Sequence, residues 1–361
     1  MPPVAPRLSP IQVSHRAAFL AKIASGEFAF EEVPTCLCGA TESVQIATHD
    51  RFGIPVGVVG CPACGLLRTS PRLAAANLPA FYEADYHGLH FGIEQPTGAT
   101  TLVRVGQGAA IWAFSRAYLG SMASRQRLQV VDIGAGTGVV LRELEAAAKA
   151  DGVDVESVGC EYSSAFATMA RERGTEVRTG GLETLIGTGL QPDLVVMSHV
   201  LEHFPDPAAD LARVKGLVQP TTLVYVEVPG VLTIDTKPQY DYELVKYLTL
   251  AHTYHFTLGT LVEAMERAGF AFVRGDEEVR ALFRLADARA PESAIPRPVD
   301  DPATRFARVL AYLTWLDRSA HMRLRRFRLH ARRGTRAAVR QLARGTIGKG
   351  GIRAIKRLLR R

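Results

Sequence analysis

The 361-residue sequence has no uninterrupted apolar run near the ~20 residues that a membrane-spanning helix needs. Its opening stretch, MPPVAPRLSPIQVSH, also lacks the apolar core of a secretory signal, so the cytoplasm is the expected compartment. Cysteine is scarce and odd in number: five residues, four of them in two close pairs. In a reducing compartment that pattern excludes a disulfide framework and points to metal ligation, leaving Cys160 as a core residue. Acid is almost missing from Pro302 onward, where Asp317 alone stands against 18 Lys+Arg. A body of net −10 therefore carries a tail of +17, which together make the +7 of the whole chain. With 47% apolar and 22% charged residues the chain is too apolar to be disordered, and one large domain with attachments is expected.

No internal repeat is present, and the segments differ in character. Residues 1–35 form a Pro-rich lead with a short helix. Residues 36–70 hold the cysteine pairs in a stretch too poor in apolar residues to make a core unaided. Residues 71–127 read as a connector ending in a cover helix. From 128 to 286 short apolar runs (LQVVDI, ESVGCE, PDLVVMS, TLVYVEV) alternate with helical periods, the rhythm of an α/β domain with a doubly wound, mostly parallel sheet. A loop-rich insert at 229–256 precedes the helix TLVEAMERAGF, and AFVRG and VRALFRLA are the expected closing strands. Pro-rich residues 287–302 are a linker. Residues 303–361 are a basic tail with Phe306, Val309, Leu310, Leu313 and Leu316 at helical spacing.

The sharpest motif is VVDIGAGTG. Asp132 ends an apolar strand, and Gly134, Gly136 and Gly138 follow at every second position before a helix starts. Such glycines let the backbone turn tightly beside a ligand while the helix N-terminus presents N–H groups, which implies a nucleotide-like ligand. The second gap is one residue shorter than in the G-x-G-x-x-G of dinucleotide folds. Glu161 ends the next strand, where a carboxylate can accept both hydroxyls of a ribose.

This pair of motifs resembles class I S-adenosylmethionine-dependent methyltransferases, which have a Rossmann-like fold. The resemblance implies that Asp132, Gly134, Gly136 and Gly138 cradle the methionine and ribose of S-adenosylmethionine and that Glu161 holds the ribose. Relatives often place an Asp after the third strand for the adenine; here RTGGLETL has Gly181 and Leu182, whose backbone and side chain take that place.

Cys36-x-Cys38-Gly and Cys61-x-x-Cys64-Gly are separated by 22 residues, and each pair precedes a glycine suited to a metal-knuckle turn. Four thiolates so spaced suit a closed, structural Zn²⁺ site. His49, between the pairs, reads as a surface residue. The stretch from Cys61 to Arg72, followed by Phe81-Tyr82-x-x-Asp85-Tyr86-His87, resembles the N-terminal zinc module and connector of a group that includes sugar C-methyltransferases and enzymes of surface-glycan clusters. That extends the resemblance over residues 36–286 and makes Tyr82, Tyr86 and His87 substrate-side candidates, with ordinary packing as the other reading.

After the fourth strand, DLVVMSHVLEHFPDP offers His199, Glu202 and His203 at the sheet edge where α/β folds bind ligands. His199 is a candidate for the cofactor pocket or for the general base, and His203 for a pocket-shaping role. The segment Ala251-His252-Thr253-Tyr254-His255-Phe256-Thr257 resembles the substrate loop of the sugar C-methyltransferases. His252 keeps the last histidine of that pattern, whereas Ala251 and Thr249 replace its glutamate and tyrosine. His252 is then a lone base, better matched to a hydroxyl than to a carbon acid; His255 reads as packing and Thr257 as a helix cap.

The implied function is methylation of a sugar, nucleotide-linked or in a surface glycan, with oxygen preferred over carbon. The tail, with Trp315, Leu316, Leu324 and Phe327 among arginines, fits an anionic membrane surface, which would hold the protein at the inner face. The same arginines fit nucleic acid, with less use for the leucine stripe, or a packed face of the body. An RNA or protein methyltransferase and a cofactor-binding scaffold are the rival readings.

Overall fold

Short runs of β-branched residues broken by glycine turns produce strands, and the amphipathic stretches between them produce helices. The structure, a computed structural model, describes residues 8–94, 105–120, 127–286 and 301–346, with the side chains of the last segment as far as Arg333. Residues 101–104 of the expected cover helix, 287–300 of the expected linker and the terminal GIRAIKRLLRR lie outside the described residues.

The N-terminal region starts with α1 (Pro10–Ser25), which Ser9 and Gln12 close in a reciprocal capping box. Next come β1 (Phe30–Glu31), β2 (Val44–Ala47), β3 (Val58–Gly60), β4 (Leu67–Thr69) and β5 (Arg72–Leu73). Strands β2, β3 and β4 form an antiparallel meander with Cys61 and Cys64 in the β3–β4 turn and Cys36 and Cys38 just ahead of β2, and β1 pairs with β5. Helices α2 (Leu78–Ala84), α3 (Tyr86–Phe91) and α4 (Gln107–Ser115) follow.

The body alternates β6 (Arg127–Ile133), α5 (Val139–Ala150), β7 (Asp154–Glu161), α6 (Ser164–Glu172), β8 (Val177–Thr179), β9 (Leu194–Ser198), α7 (Pro207–Val214) and β10 (Leu223–Glu227). After α8 (Leu244–Tyr247) and β11 (Tyr254–His255) come α9 (Leu258–Arg267), β12 (Phe270–Asp276) and β13 (Arg280–Leu285). The seven-stranded sheet has the order β12-β13-β10-β9-β6-β7-β8, parallel except for β13, which runs antiparallel to both neighbours. The chain builds outward from β6 to β8 and then returns to β9, so the crevice between β6 and β9 is the switch point where open α/β sheets bind ligands.

Side chains on successive strand residues point to opposite faces, and two core layers result. On one, Val131, Val195, Met197 and Val224 pack with Leu211, Leu261 and Met265; on the other, Val130, Val196 and Tyr225 pack with Ile111, Leu141 and Leu144. The insert at 229–256 is more structured than its loop-rich composition suggests. Its β11 pairs antiparallel with β4, Tyr254 opposite Arg68 and His255 opposite Leu67, and so completes a four-stranded sheet with the cysteine segment.

The tail begins as α10 (Pro302–Arg318) and α11 (Ala320–Thr346). Phe306, Val309, Leu316 and Met322 turn inward, and Phe306 lies against Gly60, where a Cβ would stand 2.5 Å from its ring. Arg305, 2% exposed, donates to the Cys64 carbonyl at 2.9 Å and to Glu263 at 3.1 Å, bolting the cysteine segment to α9. Removing one member of such a pair strands the other charge, so Arg305→Ala is expected to cost about 3 kcal/mol or more in denaturant unfolding. A loss below about 1 kcal/mol would show that the clamp contributes no more than a surface pair.

Candidate active site

The glycine loop follows β6 directly. Gly134, Gly136 and Gly138 have φ of 77°, 56° and 69°, all in the left-handed region that side chains disfavour. The loop N–H groups of Gly134 and Ala135 donate to the Cys160 carbonyl, each at 2.9 Å, and Val200 packs against Gly134. Position 136 opens onto free space. Glu161, at the end of β7, already accepts from Gly136 N at 3.0 Å and from Ser163 N at 2.9 Å, so its carboxylate is aimed at the loop. Asp132 is 2% exposed at the end of β6. Turned glycines, open space at position 136 and a fixed carboxylate at the switch point fit a nucleoside with a ribose diol.

Gly181 N is taken up by Glu183 at 2.6 Å, and Leu182 is buried in the core cluster beside Leu185. The exposed aromatic surface nearby belongs to Tyr162, 59% exposed, whose hydroxyl would crowd any side chain at 181. Sequence reading passed over Tyr162, although an aromatic next to the strand-end acid was a usable signal.

His199 leaves β9 with φ 58°, unusual for a residue other than glycine, and its N–H donates to the Glu227 carbonyl at 2.7 Å. The Glu227 carboxylate accepts from Gln107 at 2.9 Å, Tyr225 at 3.0 Å and Ser198 at 3.2 Å. Burial raises its pKa, but the charge of His199 and these hydrogen bonds outweigh burial and hold it below the usual carboxylate range. Sequence reading also missed this acid, which closes the apolar run TLVYVE.

Three histidines, His199 among them, surround one carboxylate. Glu202 Oε1 lies 3.4 Å from His199 Nδ1, 3.8 Å from His203 Nε2 and 4.0 Å from His252 Nε2. His252 comes from the segment that β4 holds: Thr69 Oγ1 donates to its carbonyl at 2.6 Å, and Thr253 N donates to the Glu202 carbonyl at 2.7 Å. Burial, then the neighbouring His203, His255 and Arg51, push the pKa of His252 well below the ordinary imidazole value. Burial and Arg51 lower His255 to about 3; its Nε2 faces Thr69 Oγ1 at 3.3 Å, a packing role. Thr257 caps α9.

The connector candidates meet the same cluster. Tyr82 O–H lies 2.9 Å from His203 Nδ1, and Tyr86 packs on Tyr82 with ring centroids 5.1 Å apart. His87 instead packs at a tilt against Phe166, ring centroids 4.4 Å apart, and burial lowers its pKa against the pull of Glu83. A cavity of about 390 Å³ lined by Glu32, Pro34, Gln45 and Arg68 opens elsewhere, on the small sheet, and none of the residues above line it.

The four paired cysteines converge on a separate point. Cys36 and Cys64 sulfurs are 3.6 Å apart, as are those of Cys38 and Cys61. Zn–S bonds of about 2.3 Å put tetrahedral sulfurs about 3.8 Å apart, so the set fits zinc. Gly39 N and Gly65 N each donate at 2.8 Å to the first cysteine carbonyl of their pair, forming the expected knuckles. The Cys36 thiol is lowered to about 5 by its contact with Cys64, against burial, and the same contact pushes Cys64 up. His49 stands outside this set, and Cys160 is buried in the core.

The strand order and the loop at its switch point define the class I methyltransferase fold, a Rossmann-like sheet with one reversed strand. Residues 111–274 match the family model described as a methyltransferase domain. A stretch of 101 residues, 25% of this chain, is 36% identical to PF 1022-synthetase of Rosellinia sp., and the chain spans only 3% of that relative's length. Among solved structures, the chain is similar to the putative methyltransferase complexed with the Trm112 activator of Haloferax volcanii, at 20% identity and TM-score 0.37 over 60% of this chain and 90% of that one. It is likewise similar to magnesium protoporphyrin IX methyltransferase from Synechocystis with bound SAH, at 16% identity and TM-score 0.37 over 58% and 98%.

Glu161→Gln keeps the shape and removes the charge that a ribose diol would meet. Hydrogen bonds to a charged group contribute about 1.5–3 kcal/mol, so affinity for S-adenosylmethionine is expected to fall about 10- to 100-fold by calorimetry. An unchanged affinity would take Glu161 out of the cofactor site.

Proposed function

We propose that the chain is an S-adenosylmethionine-dependent methyltransferase that acts on a hydroxyl oxygen of a sugar, nucleotide-linked or within a surface glycan. The observation that carries the reading is the left-handed glycine loop with Glu161 fixed against it at the switch point. Support for a polyhydroxyl acceptor comes from Tyr82, Tyr86, His199, His203 and His252, polar and aromatic groups gathered beyond the loop.

When bound, the cofactor supplies an electrophilic methyl group for in-line displacement. Glu161 and the open face of the glycine loop at Gly136 would hold its nucleoside end. His199, with its side chain 31% exposed, accepts the proton of the acceptor hydroxyl, and Glu202 behind it stabilises the resulting imidazolium. His252, buried and neutral, orients the acceptor. Cys36, Cys38, Cys61 and Cys64 hold a structural zinc ion that keeps β4 in place beneath the His252 segment.

No described helix is long and apolar enough to cross a membrane. Trp315, Leu324 and Phe327, 42%, 47% and 69% exposed, stand on the outer face of the tail near exposed Arg323 and Arg328. That face supports contact with an anionic membrane surface, where lipid-linked glycans would be in reach.

The test is transfer of labelled methyl groups into a cell extract separated into nucleotide-sugar, glycolipid, RNA and protein fractions, with Glu161→Ala as control. Label is expected in a carbohydrate fraction. Label in RNA or protein overturns the acceptor and turns the tail into a substrate-binding element, and cofactor binding with no transfer into any fraction favours a scaffold. General bases contribute typically about 10²–10⁴-fold, so His199→Ala should lower kcat by that order at unchanged cofactor affinity. Full turnover in that variant removes His199 as the base.

A further inference from the structure

Glu202 is 1% exposed, and among the described residues neither of its carboxylate oxygens meets a hydrogen-bond donor. Burying a carboxylate without a partner costs about several kcal/mol, a cost that a cation held against it would offset. What faces it is a ring of imidazole nitrogens at 3.4, 3.8 and 4.0 Å from Oε1, too far for good hydrogen bonds. The spacing is that of ligands around a shared ion. Bonds of about 2.0–2.2 Å to nitrogen and oxygen place adjacent ligand atoms about 3–3.6 Å apart, a few tenths of an ångström less than the Glu202 distances to His203 and His252. The ligand atoms of Glu202, His203 and His252 lie within 4.8 Å of one another.

The orientation of the His203 ring agrees. His203 Nδ1 is 2.9 Å from the Ala251 carbonyl, which can only accept, so the proton belongs on Nδ1 and Nε2 turns its other valence to Glu202. A ligating histidine anchored through its far nitrogen to a carbonyl is the usual outer arrangement of a metal site. Glu202 and His203 share one turn, Leu201–His203, and the Thr253-to-Glu202 backbone bond ties that turn to the segment bearing His252.

We infer that Glu202, His203 and His252 form a binding site for a divalent transition-metal ion that receives the acceptor oxygen. Two imidazoles and one carboxylate suit first-row divalent ions and leave coordination positions open. The ion site stands on this geometry alone; its role in turnover rests on the methyl-transfer reading. A hydroxyl bound to the ion gives up its proton more readily. The O–H bond breaks and the proton passes to His199. The oxygen lone pair forms the O–CH3 bond as the S–CH3 bond breaks, and that bonding pair stays on sulfur. The alkoxide and Glu202 together balance the charge of the ion.

The test uses full-length protein whose cysteine site is already loaded with zinc, titrated with Co²⁺ and read by metal content and visible absorption. Wild-type protein is expected to take up one ion beyond the zinc, with nitrogen- and oxygen-ligand d–d bands and no thiolate charge transfer. Glu202→Gln and His252→Gln should each weaken that uptake about a hundredfold or more, with circular dichroism confirming that they fold. Wild type that binds no ion beyond the zinc overturns the inference, and this result does not depend on any variant folding. Uptake of the ion by both variants at wild-type affinity overturns the ligand assignment. Methyl transfer is followed separately: an ion that binds while transfer proceeds equally without it overturns the role in turnover, while absence of transfer under every condition counts against the methyltransferase reading.

Discussion

The pairing of β11 with β4 is the contact on which the histidine cluster around Glu202 depends. It is only two residues long, yet Thr69 reinforces it twice, from its N–H to the Thr253 carbonyl at 2.9 Å and from its hydroxyl to the His252 carbonyl at 2.6 Å. Asp50 adds a third tie by accepting from Leu250 N at 2.9 Å as well as from Phe52 and Ile54. Burial raises the Asp50 carboxyl to about 6 against those hydrogen bonds. A segment with little regular structure of its own thus acquires a fixed backbone, and His252 is delivered to Glu202 from a direction that the parallel sheet cannot supply.

The tail extends the same logic. Its inner face covers the small sheet and the 231–248 region through Val309, Leu316 and Met322. Arg326 and Arg333 reach Tyr242 and Asp241, two consecutive residues with positive φ. Part of the basic character that looks like a polyanion footprint is therefore used within the molecule, and the rest faces outward.

Local patterns made much of this legible. Strands β6 to β10 follow from apolar runs bounded by glycine and proline, and the loop and Glu161 from motif spacing, because each depends on residues near one another in the chain. The cysteine knuckles are legible for the same reason. The sharing of β11 with the small sheet is not, since two residues, Tyr254 and His255, carry no strand period. Nor is the convergence of Glu202 with His252, fifty residues away, or the inward turn of Arg305, which its arginine-rich setting disguises as a surface charge. Tyr162 and Glu227 sit at strand ends where ligands bind and were readable from position alone.

The two halves of the site differ in what keeps them in shape. The glycine loop and Glu161 are built within the parallel sheet. The His252 segment is held by the small sheet, where Cys61 and Cys64 lie in the β3–β4 turn and Cys36 and Cys38 just ahead of β2. A change in the oxidation state of those thiols would act first on that sheet and reach the His252 segment through a pairing only two residues long, an effect that cofactor titration and turnover would report separately.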